Sequence, residues 1–286
     1  GVELDEEPVA LFTGEAPPAW TNRDSWDHVD WKVGFEFDAT DDSLLYAVAQ
    51  TGFQPGTFDV FPDTVLDESE LLALSAGVKN TLRDGRLLLN NELFHYSYDS
   101  LLVQSFDAAG GVNRLSNADV TIWGNQLDLA YTPESLPDTK LTLSLAYLHA
   151  RYDDFKNDEL DIYNDNQMQN APDWTATLGV VHDWSLPGGA TLRADAAVRY
   201  ESSFWGDFSH SSGIYQEAYT KSDVALTWLS ADRRWSIGAW AKNLENQAVQ
   251  AAAATGNPFT DPGPGAPFIE APRTYGVRFA VNWERD

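Results

Sequence analysis

The sequence predicts an all-β chain: an antiparallel transmembrane β-barrel portion of about 11 long strands, with short periplasmic turns and long extracellular loops. Three observations predict it. Apolar residues recur at every second position along most of the chain, and helical spacing is nearly absent. Short and long connectors take turns. Aromatic residues close both ends of several apolar stripes, about one membrane thickness apart.

The first strand lies near 28–38, where Val29, Trp31, Val33, Phe35 and Phe37 share a face opposite His28, Asp30, Lys32, Glu36 and Asp38. Further strands are expected near 43–53 and 70–81. The run 85–106, "GRLLLNNELFHYSYDSLLVQSF", is too long for one crossing, and its alternation blurs at Asn90–Asn91. It reads as a strand that continues beyond the membrane. Strands near 117–131 and 140–151 follow. In the strand near 172–185, Trp174 and Trp184 share a face with Leu178 and Val180. Ten residues at about 3.3 Å each give about 33 Å of strand. Tilted by about 45°, that spans roughly 23 Å, close to the apolar band of an outer-membrane barrel. Trp at each end then sits at an interface. Near 190–203, Leu192, Ala194, Ala196, Val198 and Tyr200 oppose Arg193, Asp195, Arg199 and Glu201. Strands near 218–229 and 234–244 come next. The last, near 273–283, alternates Tyr275, Val277, Phe279, Val281 and Trp283 with Thr274, Gly276, Arg278, Ala280 and Asn282. In a barrel the first set faces lipid and Arg278 faces the lumen.

The short connectors, 39–42, 82–85, 132–140, 185–189 and 230–234, carry Asp-Gly, Pro-Gly-Gly, Asp and Ser turn chemistry. The long ones are 54–69, 107–116, 152–171, 204–217 and 245–272. A soluble sandwich has no reason to keep its long loops at one end. Eleven strands also leave the two ends of the chain on opposite sides, whereas closed bacterial barrels have even strand numbers. The chain therefore reads as the later part of a larger barrel, with residues 1–27 as an extracellular loop remnant. A strand in "PVALFT" (8–13) would instead allow a complete barrel of twelve.

The totals fit. The 286 residues include 44 acidic and 18 basic, a net charge of −26, which repels phosphate backbones and speaks against nucleic acid. There is no Cys, which excludes disulfides, thiolate zinc sites and Cys nucleophiles. No run approaches the roughly 20 apolar residues of a membrane helix. The mean hydropathy looks ordinary, as it does for any barrel that alternates its apolar residues.

Four segments carry a family resemblance. "LLYAVAQTGFQPGTFD" (44–59), "NADVTIWGNQLDLAYTP" (117–133), "AKNLENQAVQ" (241–250) and "PRTYGVRFAVNW" (272–283) resemble, in order, barrel segments of TonB-dependent outer-membrane receptors of the siderophore-receptor type. The likeness covers about 240 residues and the later half of that family's barrel. It implies that 28–286 is the C-terminal part of such a barrel, without the plug domain and the TonB box. It further implies an outer membrane of a Gram-negative bacterium, with lipid and lipopolysaccharide around the wall. A scarce small-molecule ligand, an iron chelate such as a ferric siderophore, would be imported actively when the TonB complex pulls the plug. A passive porin-like barrel and a β-rich hydrolase are the competing readings. No G-x-S-x-G elbow, P-loop or H-E-x-x-H is present, so no catalytic residue is assigned, and no cofactor is expected.

Five residues are candidate ligand contacts. Trp205, Phe208 and Tyr215 lie in one outer loop, where aromatic faces could grip a ligand or simply pack the loop. Arg193 and Arg199 would face the lumen, where they could meet a polar ligand or pair within the wall. The acidic run 153–166 offers oxygen ligands but lacks the spacing and glycine of a Ca²⁺ loop. The His residues at 28, 95, 149, 182 and 210 are scattered, so no metal site is expected.

Overall fold

The computed structural model describes residues 2–6, 22–58, 65–107, 112–156, 161–210, 212–254 and 266–283. Among these, eleven strands join into one antiparallel sheet. They are β1 (Lys32–Thr40), β2 (Ser43–Gln54), β3 (Ser69–Leu82), β4 (Leu87–Asp107), β5 (Val112–Tyr131) and β6 (Thr139–Phe155). Then follow β7 (Trp174–Ser185), β8 (Thr191–Glu201), β9 (Tyr219–Leu229), β10 (Trp235–Lys242) and β11 (Thr274–Val281). Each strand pairs with its neighbour in sequence, so the sheet is one long meander with β1 and β11 at its edges.

The register carries one face across the whole sheet. Phe35 opposes Ala47, Ala47 opposes Ala76, Ala76 opposes Leu93, and the row continues through Asn125, Tyr147 and Trp174. Leu178 opposes Val198, and Ile237 opposes Phe279. These side chains do not pack against a second layer: Phe35 is 64% exposed, Leu178 55% and Val277 78%. A soluble sandwich would bury them. An outward apolar band over a polar inner face is what a membrane barrel wall requires, because lipid replaces the missing layer. Trp174 and Trp184, at opposite ends of β7, are both exposed. At the long-loop end Trp123, Tyr147 and Trp174 make a chain of ring contacts at 5.4 and 4.9 Å, and at the other end Trp235 meets Phe279 at 5.6 Å. Both belts lie where an amphipathic ring is favoured.

The short turns have the chemistry their backbones demand. Arg83, Asp84 and Gly85 all have positive φ, and Gly188 and Gly189 follow suit at the β7–β8 turn. At 230–234 the Ser230 hydroxyl donates to Asp232 (2.5 Å), whose carboxylate also accepts the Arg234 amide (3.0 Å).

The structure corrects several boundaries. The connector expected at 107–116 is largely strand: β4 and β5 pair from Leu87↔Tyr131 out to Asp107↔Val112. The irregularity in β4 is not at Asn90–Asn91, where pairing is continuous, but between Tyr98 and Leu101, next to Ser100 at φ 56°. An extra residue there bends the ribbon as it leaves the apolar band. The first strand of the sheet starts at Lys32, so Val29 and Trp31 precede it. "PVALFT" lies outside the described residues. Ahead of β1, Val2–Glu6 pairs with Asn22–Trp26 in a separate two-stranded ribbon.

The buried apolar residues gather beyond the band, at the long-loop end. Val103, Ala118, Val120, Tyr152, Phe155 and Phe208 form one cluster, and Phe204, Tyr219 and Val249 another. The extended arms of β4, β5 and β6 thus have a core of their own, on which the loops rest.

Candidate functional site

β8 leaves the apolar band at Glu201, and the chain then folds into a small platform. Phe204–Trp205 pairs with Tyr215–Gln216, and the Gly206 amide donates to the Ile214 carbonyl at 2.9 Å. Alternation along this two-residue strand splits its aromatics. Phe204 turns inward to Tyr219 and Val249, while Trp205 turns to the other side. There the Trp205 ring meets Tyr215 at 4.6 Å and lies parallel to His210 at 4.6 Å and 7°. His210 holds φ 56°, and its Nε2–H donates to the Gln167 carbonyl at 3.0 Å, which fixes the tautomer and the ring plane. The Asn170 amide donates to the Trp205 carbonyl at 2.7 Å. Three rings are therefore braced from behind. Tyr215 is 44% exposed and Trp205 half-buried.

At the same end of β8 and β9 is a charged row on the inner face. Arg199 and Lys221 are direct partners across β8 and β9. Each is neutralised from a different direction. Arg199 is paired with Glu201, which also accepts the Tyr219 hydroxyl at 2.6 Å. Lys221 is paired with Glu270, just beyond the Ala266–Ile269 strand, so that bond fastens the last long connector to the wall.

Deeper in the wall a recess of ≈ 400 Å³ opens on the inner face. Gly179, Ala197 and Ala225 make its floor, because small side chains at these positions leave space. Trp240, Lys140, Lys242, Asp195 and Asp223 stand around it. Its size lies within the range of small-molecule pockets.

The structure brings the rings of Trp205 and Tyr215 together and places Arg199 on the inner face of β8, paired with Glu201. It does not bring in the other two candidates. Phe208 is 7% exposed and touches Phe155 at 5.5 Å and Tyr163 at 5.4 Å, so it packs the outer cluster. Arg193 is six residues from Arg199 along β8, about 20 Å away. It makes a two-pronged bond to Asp183 at 2.8 and 2.7 Å near the short-turn end. Sequence reasoning missed His210, Tyr219, Lys221 and Glu270. Tyr219 and Lys221 share the inward parity of their strand, a usable signal once the β8–β9 register is known. Nothing local marked His210 or Glu270.

Part of the acidic run is engaged within the fold. Asp153 accepts from the Thr121 hydroxyl at 2.7 Å, and Asn164 Oδ1 accepts the Phe155 amide at 3.1 Å. Among the described residues no group of three or more His, Cys, Asp or Glu could hold a metal ion.

Comparison with known proteins places this arrangement. The family model described as TonB dependent receptor-like, beta-barrel, matches residues 12–244. The metal-pseudopaline receptor CntO of Pseudomonas aeruginosa is 26% identical over 213 residues, which cover 74% of this chain and 29% of that protein. Among solved structures, the ferric yersiniabactin uptake receptor FyuA of Yersinia pestis superposes with a TM-score of 0.76 at 16% identity, over 93% of this chain and 39% of that one. The siderophore receptor PiuA of Acinetobacter baumannii gives 0.74 at 19% identity, over 98% and 38%. The chain thus spans under a third of the curated relative and about two fifths of each solved receptor.

Proposed function

This chain belongs to the TonB-dependent receptor-like β-barrel family, and on that premise we propose that it supplies part of the wall and outer mouth of a receptor for active uptake of a metal chelate, most simply a ferric siderophore. The family is one of transport receptors rather than enzymes. In this reading residues 28–286 are the later part of the barrel, and residues 1–27 belong to the extracellular side. The wall lies in the outer membrane of a Gram-negative bacterium, against lipid and lipopolysaccharide. The plug and the TonB contact belong to the rest of the receptor.

One observation carries the reading: braced, partly open aromatic rings and paired charges both stand at the long-loop end of a wall that is apolar outside and polar inside. Trp205 and Tyr215 would supply contact area to the chelate at little entropic cost. Arg199 would meet its polar groups, and Phe208 would hold the platform's support. The identity of the relatives' ligands, metal–pseudopaline for one and ferric yersiniabactin for another, supports the chelate class.

The test is uptake of radiolabelled ferric chelate by cells under metal restriction. The receptor bearing Trp205→Ala and Tyr215→Ala should reach the outer membrane at normal abundance and lose about tenfold or more in affinity. Unchanged uptake by that double variant would remove the platform from the ligand path.

A further inference from the structure

The charge of this chain is not spread evenly over the barrel. The five long connectors (54–69, 107–116, 152–171, 204–217 and 245–272) hold 16 acidic and 2 basic residues, whereas the five short turns (39–42, 82–85, 132–140, 185–189 and 230–234) hold 6 and 4. The sheet topology puts the strand ends that flank the long connectors at one end of the sheet. Four of the cations described at that end are paired with carboxylates: Arg151 with Asp173, Lys156 with Asp119, Arg199 with Glu201 and Lys221 with Glu270. The exposed carboxylates of Asp67, Asp165 and Glu217 add to the excess. Beside this negative rim stand the faces of Trp205 and Tyr215, and an aromatic face attracts cations through its quadrupole.

We infer that the outer mouth selects its ligand by charge: it admits a chelate that is net cationic or neutral and disfavours a polyanionic one. The inference rests on the receptor reading above and adds a ligand class to it. Two physical effects act in the same direction. A rim of one sign raises the local concentration of oppositely charged ligand and speeds its arrival. A polyanion reaching Arg199 or Lys221 would find each holding a carboxylate, and it would have to displace that partner.

A matched ligand series separates charge from shape. One ferric trihydroxamate core can carry a free ammonium, the same amine acetylated, or the same amine succinylated. Binding of the three to the receptor that contains this chain is followed by stopped-flow fluorescence in detergent. The ammonium form should associate fastest and the succinyl form slowest, with about a tenfold spread at about 20 mM salt. At about 0.5 M salt the spread should shrink to about twofold. Neutralising the rim with Asp67→Asn, Asp165→Asn and Glu217→Gln should compress the low-salt spread. A succinyl form that binds fastest, or a spread indifferent to salt, overturns the inference.

If none of the three binds, the chelate reading fails, and the charge selection is still measurable. The chain has no Cys, so Tyr215→Cys gives one labelling site in it. A fluorophore there should be quenched several-fold more by a cationic nitroxide than by an anionic one. Equal quenching overturns the inference independently of any ligand.

Discussion

Asn91 and Asn125 face each other on the lipid side of β4 and β5, and each Nδ2 lies 3.1 Å from the other's Oδ1. The remaining donors are also used: Asn91 Nδ2 donates to the Gln126 carbonyl at 3.0 Å and Asn125 Nδ2 to the Glu92 carbonyl at 2.9 Å. Two amides are thus closed off within the apolar band. Removing one partner leaves the other facing hydrocarbon. Asn91→Leu or Asn125→Leu alone should destabilise by about 1–3 kcal/mol. The double variant should recover most of that loss, since no orphaned amide remains. Denaturant unfolding in micelles, arranged as a double-mutant cycle, reads the coupling. Additive losses would show that the two amides act separately.

This pair also shows why the strands were legible and their registers were not. Period-2 stripes such as Val33–Phe35–Phe37 and Val277–Phe279–Val281 place strands without help from tertiary structure. Asn90–Asn91 broke that stripe in the sequence because a polar residue stands on the lipid side. The break is resolved by a partner 34 positions away. The arms of β4 and β5 near Asp107 and Val112 were hidden for a similar reason. Asp107, Asn113 and Ser116 mark a loop by composition, and only pairing makes them strand. At the candidate site the residue types were legible. The division of labour between Trp205 and Phe208 was not, since it depends on which ring meets Phe155 and Tyr163 from another segment.

Gly124 fills a position that only glycine fits. A Cβ there would lie 2.2 Å from the Tyr147 carbonyl oxygen and 2.7 Å from the Phe94 ring. The carbonyl belongs to the neighbouring strand and cannot swing away. Gly124→Ala should therefore disturb the β5–β6 pairing and cost about 1–3 kcal/mol. Gly34 is the control, because its added Cβ would find nothing closer than 3.8 Å. Gly34→Ala should be neutral or slightly stabilising. Heat-modifiable gel mobility and unfolding midpoints distinguish the two.

The turn between β9 and β10 has a pH dependence with a definite sign. The Ser230 hydroxyl first, and then the Arg234 amide, hold the Asp232 carboxyl below the usual carboxylate range. A carboxyl with a lowered folded pKa stabilises above its unfolded value, about 3.9, and loses that contribution as pH falls through the folded value. Protection of the Arg234 and Trp235 amides against hydrogen exchange, corrected for intrinsic rate, should be constant above about pH 4 and fall below it. Asp232→Asn should flatten the profile. A wild-type profile already flat to pH 2 would mean the carboxylate does not hold the turn.

Trp205 and Phe208, three positions apart in one loop, should fail in different ways when shortened. Phe208 is enclosed by Tyr152, Phe155 and Tyr163, with ring contacts at 6.3, 5.5 and 5.4 Å. Removing a buried Phe side chain leaves a cavity and costs about 3–5 kcal/mol. Because the cluster lies outside the apolar band, Phe208→Ala should release the outer arms of β4 to β6 while the membrane-embedded pairing stays intact. Hydrogen exchange should rise at Val120 and Tyr152 and stay unchanged at Leu143 and Leu178. Trp205 is half-buried against Tyr215 and His210, and its carbonyl, not its ring, accepts the Asn170 amide. Trp205→Ala therefore keeps that backbone bond and should leave exchange in the arms near its original level while weakening ligand binding. The two variants together separate support from contact. If Trp205→Ala loosened the arms as much as Phe208→Ala, the ring would be part of the scaffold, and the aromatic platform would have no separate face to offer a ligand.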